Sequence, residues 1–330
     1  MWYAERSSAI VKRPRLKVVI PGGTGSIGSV LARHFHHAGD DVTVIGRSLS
    51  SDSPWRTIAW DGATPGAWTQ AIDGADVVLN LAGKSVNCRY TAENRRLIME
   101  SRTKTTRLVG EAIAAAKRPP SAWMNASTAT IYRHALDRPM DEKTGELGGD
   151  EPDVPASWRF SIDVVRNWEK AFFEAPVSGI RKVALRMAIV MEPYTHSTFA
   201  LLSDLVRKGL GGTNGSGAQM VSWIHDVDLA RSIEFLIARD DLDGIVNIGS
   251  PNPLPNREFM RALRDAWGVK IGLPSTETML RLGAFMMGSE TELVLKSRWV
   301  LPARMVEAGF TYDFPMWRDA AADLVRRTRD

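Results

Sequence analysis

Residues 17–28 read KVVIPGGTGSIG, a short apolar run, a glycine-rich turn, and the start of a helical pattern that continues to about residue 37. The glycines at 22, 25 and 28 make GxxGxxG. Gly22 permits a tight turn, Gly25 lets backbone approach a pyrophosphate, and Gly28 lets helix and strand pack closely. A helix N-terminus offers unpaired N–H groups and the positive end of its dipole, so Thr24, Ser26 and Ile27 complete a phosphate cradle. Three glycines alone also fit an ordinary tight connection. Here a strand precedes them and a helix follows, which makes a nucleotide site the better reading.

Outward from this stretch, short apolar runs alternate with longer helical patterns up to residue 190. Strands are expected at 17–20, 41–46, 56–60, 75–81, 122–127 and 181–190, and helices at 26–37, 91–117 and 157–172. Such alternation builds βαβ units and a parallel sheet, hence an α/β protein with its ligand at the carboxyl ends of the strands. Beyond 190 the pattern loosens. A glycine-rich loop at 209–219 precedes a strand at 220–224, a helix at 226–238 and a late strand at 245–248. From Pro255 onward the chain reads as mostly helical. The expected division is a loose tail over 1–15, a nucleotide-binding domain over 16–190 and a smaller lobe over 191–330. About 220–250 of that lobe is expected to return to the sheet. Met279, Met286 and Met287 with Phe285 read as the small lobe's core.

Several functions are disfavoured by composition. The 330 residues are 44% hydrophobic and carry a net charge of +4. Apart from KRPRLK at 12–17 the basic residues are scattered, whereas nucleic-acid binding needs a clustered stripe with aromatics. Cys88 is the single cysteine, so no intrachain disulfide or cysteine-type metal cage can form, and a reducing cytoplasm suits the chain. The start lacks the roughly 7–15-residue apolar run of a signal peptide. No segment reaches the roughly 18 apolar residues of a membrane span. His34, His36 and His37 lack the i, i+4 spacing of a helical metal pair. No metal is expected.

The end of the second strand distinguishes the dinucleotides. An acidic residue there binds the ribose 2′-hydroxyl of NAD. This chain has Gly46-Arg47-Ser48 instead. A guanidinium holds a 2′-phosphate bidentately and Ser48 adds a donor, which points to NADP(H). The alternative is a solvated loop arginine. Asp61, after the third strand, is a candidate partner for the adenine amino group. Leu81, Ala82 and Gly83 offer the adenosine a small-residue approach.

GGTGSIG, NLAG (80–83), ASTATIY (126–132), LRMAIV (185–190) and SWIHDVD (222–228) occur in an order that resembles the extended short-chain dehydrogenase/reductase superfamily. NLAGKSVNCRYTAENRRLIMESRTKTTRLV, NWEKA and ELVLKSRWVLPARMVEAGFTYDFP (292–315) resemble more narrowly its atypical epimerase-like branch with a DUF1731-type tail. The likeness runs over about 16–325. It implies a Rossmann-type doubly wound parallel sheet with a small, mostly helical C-terminal substrate lobe. For some members it implies NADP binding.

In ordinary members a tyrosine exchanges the proton and a lysine four residues later lowers its pKa, because a phenol near pKa 10 needs an adjacent cation to work near neutrality. None of the five tyrosines here, at 3, 90, 132, 194 and 312, has such a lysine. By alignment on Trp168-Glu169, Phe160 or Ser161 occupies the tyrosine's place and Val164 or Val165 the lysine's. The related branch also generally lacks the pair. Thr128 matches the superfamily's Ser/Thr position and is a candidate to hydrogen-bond a substrate oxygen, or else a satisfied strand-end hydroxyl. Tyr132 reads as packing. SWIHDVD resembles the sugar-nucleotide epimerase segment R-x-F-x-H-V-x-D. Val221 stands in the arginine's place and cannot neutralise a diphosphate. His225 is a candidate proton source or a structural histidine. Lys84, Arg89 and Arg102 could meet an acidic group or remain surface residues.

Two functions stay open. One is an NADP(H)-dependent oxidoreductase or epimerase acting on a small, non-nucleotide compound, with Thr128, Ser161 and His225 as candidate catalytic residues. The other is a non-catalytic NADP(H)-binding sensor or scaffold. A homodimer through helices 91–117 and 157–174 follows the superfamily's habit, although arginines 95, 96, 102 and 107 make the first helix polar.

Overall fold

The computed structural model describes residues 14–49, 52–195, 197–276, 278–280 and 292–329. Most of the expected tail, and Phe285, Met286 and Met287, lie outside the described residues. β1 (Lys17–Pro21) is central because it feeds both faces of the sheet. Val18 and Ile20 enter one core and Val19 the other, as the two-residue period of a strand dictates. The strands that follow are β2 (Asp41–Gly46), β3 (Arg56–Ala59), β4 (Val77–Asn80), β5 (Ala122–Thr128) and β6 (Arg181–Met187). Then come β7 (Ile189–Met191), β8 (Met220–Val221), β9 (Trp223–His225), β10 (Gly244–Ile248) and β11 (Leu254–Pro255). Seven of them form one parallel sheet in the order β10-β6-β5-β4-β1-β2-β3. The order reverses between β1 and β4, and that reversal opens a crevice at their carboxyl ends.

Helices cover both faces, which is why β1, β2, β4 and β5 are buried almost along their whole length rather than on alternate residues. α1 (Ser26–His37) contributes Val30, Leu31 and Phe35 to the first core. α2 (Ala92–Ala114) contributes Val109 and Ile113 to the second, and α3 (Ala156–Phe173) contributes Phe172. There Trp123 of β5 meets the Phe172 ring edge-on at 4.6 Å.

The C-terminal lobe has its own core. α4 (Thr198–Arg207), α5 (Asp226–Ile237), α6 (Asn256–Trp267) and α7 (Trp317–Arg329) complete the larger helices. α5 joins α1 on the sheet, whereas the other three enclose Phe199, Phe259, Leu263, Trp317 and Leu324. Trp317 stacks on Phe259 at 4.1 Å and donates its Nε1 proton to the Phe259 carbonyl at 2.9 Å. The ring therefore buries both its area and its polar edge.

Three details differ from the sequence reading. The run 181–190 is not one strand: the chain turns at Ala188, whose N–H donates to Ile248 O, and β7 leaves the sheet to pair with β9. Within 220–250 only β10 joins the seven-stranded sheet. Met279 is 57% exposed, so it is not part of the small lobe's core.

Candidate functional site

The glycine loop is built as tightly as its sequence demands. Gly22 has φ +79°, and a Cβ there would lie 2.5 Å from the Ala82 nitrogen. The N–H of Gly22 donates to Ile45 O at 2.7 Å and that of Leu81 to Pro21 O at 2.7 Å. Loop, β2 and the NLAG turn are thus tied together. A Cβ on Gly28 would sit 2.4 Å from the Gly23 Cα, so helix and turn pack with no room between them. Gly25 differs: an added Cβ would meet nothing closer than 3.6 Å. It is also the N-cap of α1 and supplies no side-chain cap. Among the described residues, no backbone carbonyl accepts from the N–H groups of Ser26 and Ile27. Orphan donors beside an open glycine fit a pyrophosphate.

The residues expected at the adenosine end follow. Thr24 covers Gly46, where a Cβ would lie 2.5 Å from its hydroxyl. Arg47 and Ser48 beyond it are exposed and have no hydrogen-bond or ionic partner among the described residues. Asp61 is exposed and its carboxylate is already engaged, accepting from the N–H groups of Ala63 and Thr64 at 2.8 and 2.9 Å and from the Thr64 hydroxyl at 2.8 Å. Those bonds, that of Ala63 foremost, hold its pKa below the usual carboxylate value. Ala82 N–H donates to Asn80 Oδ1, and Asn80 bonds Asn125 at 2.6 Å, so a buried amide pair fixes the NLAG turn. Gly83 lies against Arg102, whose guanidinium donates to the carbonyls of Lys84 and Ile98 and faces Trp168. Burial lowers the Arg102 pKa to about 10. Arg102 is committed to the loop.

Glu192, just past β7, was not singled out in the sequence. It is buried beside α1, bonded by the Ser26 side chain, and its Oε2 has no partner among the described residues. Burial raises its pKa, which favours the neutral form next to a phosphate site.

At the carboxyl end of β5 a second polar cluster forms. Thr128 Oγ1 accepts from Thr130 N–H at 3.2 Å and caps the 3-10 turn Ala129–Ile131. Ser161 on α3 is half-buried, 3.3 Å from the Tyr90 hydroxyl and 2.5 Å from Glu292 Oε2. Phe160 instead packs edge-on against the Tyr90 ring, with Arg95 over its face. The polar partners of the position therefore belong to Ser161. Val164 and Val165 are buried and apolar.

The C-terminal segment supplies the charge. Lys296 donates to Thr130 O at 2.7 Å, and Arg298 Nε to Thr130 Oγ1 at 3.2 Å. Glu292, Lys296 and Arg298 are all buried. Burial raises the Glu292 pKa and lowers that of Lys296 to about 8. Sequence reasoning read this segment only as a family signature. A glutamate and a lysine four apart in the otherwise apolar ELVLK were the available signal, since that spacing faces both one way on a helix.

His225 is bonded elsewhere. It is fully buried; its Nδ1 accepts from Val227 N–H to cap α5, and its Nε2 bonds Asp323 of α7 at 3.2 Å. Its ring stacks on Phe314 at 3.9 Å. Both nitrogens are engaged, and neither meets Thr128 or Ser161. Tyr132 is buried with its hydroxyl donating to Asn247 Oδ1 at 3.0 Å and accepting from Arg186, itself paired with Glu169. No group of histidine, cysteine or acidic residues among the described residues is arranged to hold a metal. No helix among them is long and apolar enough to cross a membrane.

A phosphate loop opening α1, the reversal between β1 and β4 and a C-terminal lobe closing beside β5 define a class of protein. The chain belongs to the NAD dependent epimerase/dehydratase family, whose model matches residues 18–249. Residues 276–324 match a domain of unknown function, DUF1731. Among particular relatives, it is similar to Epimerase family protein SDR39U1 of Bos taurus, at 31% identity over 314 residues, 94% of this chain and 100% of that one. The crystal structure of human SDR39U1 with NADPH is similar with a TM-score of 0.79 at 27% identity, covering 94% and 99% of the two chains. A nucleoside-diphosphate sugar epimerase from Corynebacterium glutamicum gives 0.73 at 25%, covering 94% of this chain and 58% of that one.

Proposed function

We propose that the chain binds NADP(H) across the crevice. Pyrophosphate would lie on the amides of Ser26 and Ile27, and the 2′-phosphate on Arg47 and Ser48. The observation that carries this reading is the arginine and serine, with no acidic residue, immediately past β2, both exposed and unpartnered among the described residues. The human relative's structure with NADPH supports it. Bound there, the cofactor would supply hydride chemistry. The chain would act as an oxidoreductase or epimerase on a small carbonyl or hydroxyl compound, its oxygen held by Thr128. Val221 in place of an arginine argues against a nucleotide sugar. We assign His225 to tethering α7, because both its nitrogens are engaged.

Calorimetric titration with NADPH and NADH, beside an Arg47→Asp variant, tests the cofactor. A charge-assisted pair contributes about 1.5–3 kcal/mol, so the variant should lose roughly 10–100-fold in NADPH affinity and little for NADH. Equal affinity for both nucleotides in the wild type would sink the assignment. The second reading, a non-catalytic NADP(H)-binding sensor or scaffold, is favoured by the absence of any Tyr-x-x-x-Lys pair. Turnover of any substrate would remove it. A homodimer through α2 and α3 would have to cover the exposed Arg96–Glu93 and Lys104–Glu100 pairs; light scattering decides.

A further inference from the structure

Glu292 is held in an arrangement that a merely structural ion pair does not need. Its Oε2 accepts from Ser161, whereas its Oε1 has no hydrogen-bond partner among the described residues. The two cations of its own segment stay at ionic distance from that oxygen, Lys296 Nζ at 3.7 Å and Arg298 at 4.0 Å. Their hydrogen bonds go instead to Thr130, and Arg298 also donates to the Glu292 carbonyl.

The segment is firmly placed. Ser297 N–H donates to His134 Nδ1 and its hydroxyl to Ala135 O at 2.5 Å, Arg298 N–H donates to Met220 O, and Met140 N–H donates to Trp299 O at 2.7 Å. Ser161 is, with Phe160, one of the two residues at the tyrosine's place and the one with polar partners, and α3 packs against the 3-10 turn that follows Thr128. A serine hydroxyl is too weak an acid to give up its proton near neutrality unless a stronger acid behind it replaces that proton at once. At 2.5 Å that acid is Glu292.

Resting on the NADP(H) reading above, we propose that Glu292 and Ser161 replace the absent tyrosine. The relay starts from the neutral carboxyl, in which the 2.5 Å contact runs the other way: Glu292 Oε2–H donates to Ser161 Oγ and passes its proton there, while the Ser161 hydroxyl, turned to the substrate, hands its own proton to the substrate oxygen. One O–H bond forms on the substrate, Ser161 ends as it began, and Glu292 is left a carboxylate that Lys296 and Arg298 stabilise and water reprotonates. In the reverse direction the carboxylate is the base. Ser161 is the catalytic residue; Glu292 acts through it. Groups that bear on the titration are Lys296 and Arg298 from the same segment and Tyr90 beside Ser161. Glu151 acts on Lys296, which in turn acts on His134. Burial raises the carboxyl's pKa, and the two cations oppose it.

The test uses the full-length protein with NADPH. Glutamate labelled at its carboxyl carbon is titrated by NMR in the wild type and in Glu292→Gln. One carboxyl should titrate clearly above the ordinary value of about 4.3 and be missing from the variant. A panel of small aldehydes, ketones and quinones is then scored for NADPH oxidation. With the compound that the wild type reduces fastest, Glu292→Gln and Ser161→Ala should each lose about 100-fold or more in kcat, the range of general acid catalysis. NADPH affinity should stay within about threefold in both, which checks that each variant is folded. The wild-type rate should fall as pH rises through the carboxyl's pKa, and Glu292→Gln should lose that limb; formate should partly restore Glu292→Ala. A carboxyl titrating in the ordinary range, or a Glu292→Gln enzyme with wild-type rate and pH profile, would overturn the relay and leave the cofactor reading intact. A wild-type protein that binds no NADPH would overturn both.

Discussion

The two ends of the crevice are made differently. At the proposed phosphate end, residues 21–28 would act through backbone: a positive φ at Gly22, an open face at Gly25, and amides at the start of α1 from which no backbone carbonyl among the described residues accepts. At the other end, side chains from β5, α3 and the C-terminal segment converge, and Ser161 and Glu292 lie 131 residues apart in sequence. Backbone recognition needs consecutive residues of fixed conformation. Side-chain chemistry needs only that the right groups meet, from wherever the fold brings them. The first kind of site therefore keeps a local signature. The second can exchange its members while the fold stays put.

The largest expected effect is at the phosphate end. Gly22→Val places a branched side chain at φ +79°, with its Cβ 2.5 Å from the Ala82 nitrogen. Left-handed backbone costs roughly 1–2 kcal/mol and overpacking about 1–3 more. A stability loss of about 2–5 kcal/mol and loss of NADPH binding should follow, read by thermal melting and calorimetry. A variant that melts and binds like the wild type would mean that the loop tolerates side chains, and the contrast would fail at its better-defined end.

A smaller effect, at most about 3 kcal/mol, is expected at the side-chain end. Lys296 is lowered from 10.5 to about 8, principally by burial. Below pH 8 it is protonated in both the folded and unfolded chain, and the folded state bears the full cost of burying the charge. Between about pH 8 and 10.5 the unfolded chain holds more protons than the folded one, so stability rises with pH. The gap corresponds to about 3 kcal/mol at 1.36 kcal/mol per pH unit. Chemical denaturation across pH 7–10.5 should therefore show the wild type gaining on Lys296→Met as pH rises. A constant difference would mean that Lys296 titrates as an exposed lysine does.

The same contrast explains what could be read in advance. β1, α1 and β2 were legible almost to the residue, because apolar runs, the glycine turn and the helical period are neighbours in sequence. The break at Ala188 was not. It depends on Ile248 capturing the Ala188 N–H, and no local rule at LRMAIV anticipates a partner sixty residues away. α4 was missed for a related reason: its apolar face is defined by Phe259 and Trp317 on other helices. Arg47 and the glycines were singled out by their chemistry. Glu192 and Glu292 were not, because a glutamate becomes unusual only once burial has removed its water. His225 was left between a proton source and a structural histidine, because the motif cannot show that Asp323 lies on its far nitrogen.

Asp61 is where the contrast can be sharpened most finely, because it is a side chain at the backbone end. A carboxylate offers about four lone-pair sites, and Ala63 and Thr64 fill three of them. One remains for an adenine amino group, so Asp61→Ala should weaken NADPH binding by no more than about fivefold, the size of one modest hydrogen bond. That is less than the loss expected for Arg47→Asp. The turn at Ala63 and Thr64 should loosen as well, so the comparison is best made against Asp61→Asn, which keeps an acceptor for the turn. If Asp61→Asn behaves as the wild type while Asp61→Ala loses fivefold, the carboxylate shapes the loop rather than reading the base. A loss of 100-fold in either variant would mean that the adenine base, like the 2′-phosphate, is recognised by a side chain, and backbone recognition would then be confined to the pyrophosphate.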